Sequence, residues 1–125
     1  MRVLRDTNGF SLIEILIATV IITIASLGVA TLTVGIIQGN SFSKRLTIAT
    51  SLAQDRLEQV KRLGYANADT AAASENYGTI ANYDGYKRVT SVANNTPALN
   101  MKLISVNVYW NSDKHSVNVS TILSE

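Results

Sequence analysis

At 125 residues, 46% of them hydrophobic, the chain has material for only one small domain once a long apolar segment near its start is set aside, which excludes a multidomain enzyme. Eleven Lys and Arg against 9 Asp and Glu give a formal net charge of +2, so no electrostatic footprint points to nucleic acid or to an acidic substrate. Cysteine is absent, which excludes a disulfide framework and a thiolate metal site and leaves the domain to rest on packing.

The first element is an apolar run over residues 10–37, beyond the roughly 20 residues that a spanning helix needs. Its single charge is Glu14, and an acid carried to the bilayer centre costs about 2.5–3.5 kcal/mol, so Glu14 calls for a partner. The run is too long for a cleavable secretory signal, whose apolar core spans about 7–15 residues. A plain signal anchor accounts for the hydrophobicity but for neither Glu14 nor the abrupt Gly9-Phe10 border. Counting Lys and Arg beside the span sets Arg2 and Arg5 against Lys44 and Arg45 and does not decide orientation.

The stretch Gly9-Phe10-Ser11-Leu12-Ile13-Glu14, followed by unbroken hydrophobicity, resembles the processing site of the type IV pilin and pseudopilin superfamily. The resemblance implies that a membrane aspartyl peptidase cuts after Gly9 on the cytoplasmic side and that the new amino group of Phe10 is methylated. It further implies that Glu14 is an assembly contact, and that the C-terminal domain lies outside the cytoplasm. On this reading residues 1–9 are a cleaved leader, 10–40 a membrane-spanning and assembly helix, and 41–125 a periplasmic or extracellular domain. The chain departs from many pilins in lacking cysteine and in having no proline in its apolar helix.

Within the span Ala18, Ala25, Gly28, Gly35 and Gly39 fall at helical spacings, and Gly35 with Gly39 makes a GxxxG match. Gly28, Gly35 and Gly39 are therefore candidates for helix packing, although membrane helices are in any case richer in glycine than soluble ones. Past Gln38–Ser41 the chain turns amphipathic, with Phe42, Leu46, Ala49, Ala53, Leu57 and Val60 on one stripe. Glu58 and Arg62 make an i,i+4 pair, and Gly64 stands at a C-terminal cap, which predicts one helix over 11–63. Residues 51–65 also resemble the corresponding turn of PilV-like minor pilins.

Residues 66–84 lose any clear period and read as a connecting loop. From Tyr86 the period is two: Val89, Ser91 and Ala93 mark a weak strand, Ile104, Val106, Val108 and Trp110 a stronger one, and Val117, Val119 and Thr121 a third. Asn94–Pro97 and Asn111–Lys114 supply turn chemistry between them. The expected fold is α+β: a long N-terminal helix, spanning in its first half and amphipathic in its second, packed on a small antiparallel sheet. The last hairpin, 106–122, again resembles PilV-like proteins.

Chemistry-bearing residues are few. His115, the sole histidine, stands beside a turn and is expected to be solvated, as are Asp69, Asp84 and Asp113 in polar loops. No catalytic residue, metal or cofactor is expected, and no enzyme activity. Three basic pairs, Lys44-Arg45, Lys61-Arg62 and Lys87-Arg88, read as solvated faces or headgroup contacts, and nucleic acid is not an expected partner. The function expected from the resemblance is a minor pilin subunit built into a type IV pilus or pseudopilus. A pseudopilin of a type II secretion system is the alternative within the class, and a membrane-anchored adhesin or DNA-binding module the alternative outside it. Partners would be other pilin subunits, prepilin peptidase, an inner-membrane assembly platform and, before assembly, lipid. Such a subunit crosses the inner membrane once before assembly and resides in a pilus or pseudopilus, at the cell surface or in the periplasm, after it.

Overall fold

The computed structural model describes residues 9–125; residues 1–8, with Arg2, Arg5 and most of the expected leader, lie outside them. Helix α1 runs Leu12–Asn67. It begins where the Ser11 carbonyl accepts the N–H groups of Glu14, at 3.0 Å, and Ile15, at 3.2 Å. Ser11 thus stands at the N-cap and Glu14 in the first turn, where a negative charge suits the helix dipole. Gly64 breaks the helix at φ 75° and ψ 174°, at the expected cap; one further turn follows to Asn67, then a 3₁₀ turn over Ala68–Ala71.

The chain divides into two compact units, one ending at Asn40 and the other Ser41–Glu125. In the first, the helix exposes its large apolar side chains from Leu12 to Ile37. Its hydroxyls are satisfied within the helix: Thr23 donates to the Thr19 carbonyl at 2.7 Å, Ser26 to Ile22 at 2.8 Å, Thr31 to Leu27 at 3.1 Å and Thr33 to Val29 at 2.9 Å. The side-chain hydroxyls from Thr19 to Thr33 thus donate within the helix, as a bilayer or a dry helix bundle favours.

In the second unit the remainder of α1 joins four strands, β1 Ala73–Glu75, β2 Tyr86–Asn94, β3 Met101–Trp110 and β4 His115–Ser124, in an antiparallel sheet of order β1-β2-β3-β4. Register runs Tyr86↔Trp110 to Asn94↔Lys102, and Trp110↔His115 to Met101↔Ser124. The α+β, pilin-like arrangement of one long apolar helix and an antiparallel sheet is therefore present. Strand β1 lies inside the segment read as loop, and at three residues it is too short to display a period of two. Its register sets Glu75 opposite Arg88.

Ala49, Leu52, Ala53, Leu57 and Val60 of α1 pack with Ile104, Val106, Val108 and Trp110 in one core. Alanines at 49 and 53 have no side chain beyond Cβ, which lets the helix backbone lie close to the sheet. The buried stripe begins at Ala49 and adds Leu52, whereas Phe42 and Leu46 remain 44% and 37% exposed. Phe42 lies at the sheet's end, its ring 6.2 Å from that of Trp110 and 5.4 Å from that of His115. Glu58 pairs with its i,i+3 neighbour Lys61, at 3.3 Å, rather than with Arg62.

Candidate functional site

At the helix N-terminus Gly9 and Phe10 are exposed coil, Phe10 at 81%. Phe10, Glu14 and Ala18 recur every four residues and line one recess of ≈ 380 Å³ together with Ile15 and Thr19. The structure thus brings Phe10 and Glu14 onto a single face. Glu14 is the one charged side chain of the helix before Lys44, and its surroundings are apolar apart from Thr19. A carboxylate so placed can accept hydrogen bonds or an ion pair from a cation that another molecule supplies.

Gly28, Gly35 and Gly39 lie further along the same helix, and a Cβ added at any of them would meet nothing within 4 Å. Among the described residues no packing demands glycine there. The helix is long and apolar enough, by length and composition, to cross a membrane.

The domain's charged residues are more engaged than their loop-like sequence contexts imply. Asp69 accepts from Lys102 at 2.8 Å, and Asp113 accepts from Lys87 at 2.8 Å and from the Tyr77 hydroxyl at 2.9 Å. Hydrogen bonding from Lys102 holds the Asp69 carboxyl below its ordinary value, and Lys87 and then Tyr77 do the same for Asp113. Asp84 contributes its backbone carbonyl, accepting from the Gly78 N–H at 3.1 Å. Of the basic pairs, Lys87-Arg88 is no solvated face: Arg88 is buried against Glu75, and Lys87 also sits 4.9 Å from the centre of the Tyr109 ring. His115 is exposed as expected, yet opens β4 and stacks on Trp110 with ring centres 5.6 Å apart. Among the described residues no cluster of His, Asp and Glu could hold a metal ion.

Sequence reading passed over Glu75, Arg88 and Lys102 as contributors. The signal for two of them was parity, since Lys102 shares the inward face of β3 with Ile104 and Val106, and Arg88 that of β2 with Tyr86. Both are buried.

Residues 4–30 match the family described as the Prokaryotic N-terminal methylation motif. The match takes in the Gly9-Phe10 junction, Glu14 and the apolar helix as far as Ala30. This prepilin-type motif supports a type IV pilin-like or pseudopilin-like precursor and points to a structural protein. In general terms it implies processing by a prepilin peptidase and assembly with other pilins. With the long apolar helix, it fits membrane insertion followed by pilus assembly. Neither curated proteins nor solved structures yield a match to the chain.

Proposed function

We propose that this chain is a minor pilin, of PilV-like kind, that is cut after Gly9, methylated on Phe10 and built into a type IV pilus or pseudopilus through residues 10–40, with residues 41–125 outside the cytoplasm. The observation that carries the reading is the prepilin motif set directly against a helix whose one charge before Lys44, Glu14, shares a face with Phe10. Cleavage converts the Phe10 nitrogen from an amide into a cationic amine. Glu14 then has a partner of opposite charge, and in an apolar environment that pairing offsets the cost of placing a carboxylate there. When the amine comes from a neighbouring subunit, the pair sets the axial register of one helix against the next. Gly28, Gly35 and Gly39 leave open helix surface where backbones can approach closely.

The deciding experiment is mass spectrometry of the protein recovered from its host membrane. The expected N-terminus is Phe10 carrying one methyl group; an intact Met1, or a cut beyond the apolar run, overturns the reading. A pseudopilin of a type II secretion system shares these features of the N-terminus. Recovery of the chain in sheared surface filaments, rather than dependence of protein secretion on it, separates the two.

A further inference from the structure

Aromatic side chains are unevenly placed in the second unit. Phe42, Tyr77, Tyr83, Tyr86, Tyr109 and Trp110 gather at one end, and only Tyr65 stands at the other, where Lys102 covers its ring at 4.5 Å. Contacts tie the cluster together. The Phe42 ring packs beside that of Trp110, and the Tyr86 hydroxyl donates to the Arg45 carbonyl at 3.4 Å. Tyr83 meets Tyr86 edge-on with ring centres 6.2 Å apart, and Tyr77 donates to Asp113 in the turn between β3 and β4. Register sets Tyr86 opposite Trp110 and Lys87 opposite Tyr109. Tyr86 and Trp110 close the core, but Phe42, Tyr77 and Tyr83 are exposed and offer ring surface to something outside the unit.

Charge is uneven in the same sense. This end carries Lys44, Arg45, Lys87 and Lys114 against Asp84 and Asp113, and Asp113 is already held by Lys87 at 2.8 Å. Toward the other end Lys61, Arg62 and Lys102 are matched by Glu58, Asp69 and Glu125. The aromatic and basic end is also where the chain enters the unit, Phe42 following Ile37, the last residue of the apolar run, by five positions. Tyr and Trp favour the boundary between hydrocarbon and water, and Lys and Arg favour anionic headgroups there.

We infer that this end of the second unit docks on an anionic bilayer surface, with Phe42, Tyr77 and Tyr83 at the level of the headgroups and Lys44, Arg45 and Lys114 facing their phosphates. The contact is made before assembly and is given up when the subunit leaves the bilayer. It rests on residues 10–37 crossing a membrane, but on neither the cut after Gly9 nor entry into a filament. Lipid is favoured over a protein partner because the apolar run brings a bilayer within five residues of this end in every copy.

Absence of cysteine allows one label per chain. Ala81 at this end and Ala98 at the other are both exposed loop residues, so Ala81→Cys and Ala98→Cys carry a nitrobenzoxadiazole label at matched sites. The full chain is reconstituted into vesicles of phosphatidylcholine alone, or of phosphatidylcholine and phosphatidylglycerol in equal parts, and flotation with the vesicles reports insertion. The label at position 81 should brighten and shift to the blue when phosphatidylglycerol is present, and the label at 98 should not. Tethering by the span acts equally in both lipids and does not give this difference. Salt at about 1 M, which shortens the screening length to about 3 Å, should remove it. Lys44→Gln with Lys114→Gln should lower the docked-to-undocked ratio about 25-fold, about fivefold for each basic residue beside an anionic surface. Lys61→Gln with Arg62→Gln, at the other end, should leave the ratio unchanged. Three results overturn the proposal and leave the spanning reading intact: a response at 81 that ignores lipid charge, an equal response at 98, or one that grows with chain density instead and so reports a second copy. A chain that does not float with the vesicles overturns both.

Discussion

Arg88 lies on the inward face of β2 with its guanidinium held by both Glu75 oxygens, at 2.6 and 2.8 Å, and by the Leu52 carbonyl at 3.1 Å. The fork matches the carboxylate in two parallel charge-assisted bonds, so one side chain ties β1, β2 and the helix together. Nearby, Arg56 of the helix donates to the Ala71 carbonyl at 2.9 Å, holding the segment after the helix against the helix, and Lys102 of β3 donates to the Tyr65 carbonyl at 2.8 Å, holding the helix's last turn to the sheet. Glu75→Ala should therefore destabilise by about 2 kcal/mol in chemical denaturation, less than the roughly 3–5 kcal/mol of a fully buried pair because Glu75 keeps some solvent contact. Hydrogen bonding from Arg88 holds the Glu75 carboxyl below its ordinary 4.5, outweighing a smaller upward push from burial. A depressed carboxyl stabilises the fold above its unfolded value, and that stabilisation is lost as pH falls below 4.5 and through the folded value. Asp69 and Asp113 titrate in the same sense. Thermal melts scanned downward in pH should show a steeper loss for wild type than for Glu75→Gln, which cannot titrate there.

Among the elements, β3 carries the domain. Its inward residues alternate without exception, so Ile104→Ala should cost about 2–5 kcal/mol. Leu103→Ala, one residue away on the outer face and only half-buried, should cost less. The same denaturation experiment reads both, and equal losses would contradict the observed parity. The helix terminus makes a second prediction. Gly64 holds φ 75° and ψ 174°, a region that side chains with a Cβ scarcely visit, so Gly64→Ala should destabilise by about 1–3 kcal/mol. Gly85→Ala, where φ is not in the left-handed range and an added Cβ meets nothing within 4 Å, is the control and should leave stability near wild type.

For the whole molecule, the two units require different surroundings. Among the described residues the first exposes a largely apolar surface whose one charge is Glu14, while the second buries an apolar core against its own sheet. On the proposed function hydrophobicity carries insertion and the junction carries processing, so Glu14→Ala should leave both intact yet reduce incorporation into filaments. Gly9→Val should block the cut and so block assembly upstream. Comparing membrane and sheared-filament fractions, scored for processed and unprocessed chain, distinguishes the two. Filaments that take up Glu14→Ala as well as wild type would remove Glu14 from the assembly contact.

Some features needed no tertiary structure. Residues 10–37 are apolar in any fold, the Gly9-Phe10 border is a covalent motif, and period-two alternation from Ile104 to Trp110 names both a strand and its buried face, because a strand's side chains must alternate. Gly64 announced the helix's break for the same local reason. Other features depend on which segments meet. Nothing local distinguishes Ala73–Glu75 from a loop, since it becomes a strand only when β2 lies beside it and Arg88 needs Glu75. Asp69 and Asp113 look solvated until Lys102 and Lys87, 33 and 26 positions away, are brought to them. The open β4 edge is likewise a property of strand order rather than of residue type: Val119 alternates as well as Val106 does, but only Val106 has a strand on both sides, and that difference leaves one half-exposed and the other buried.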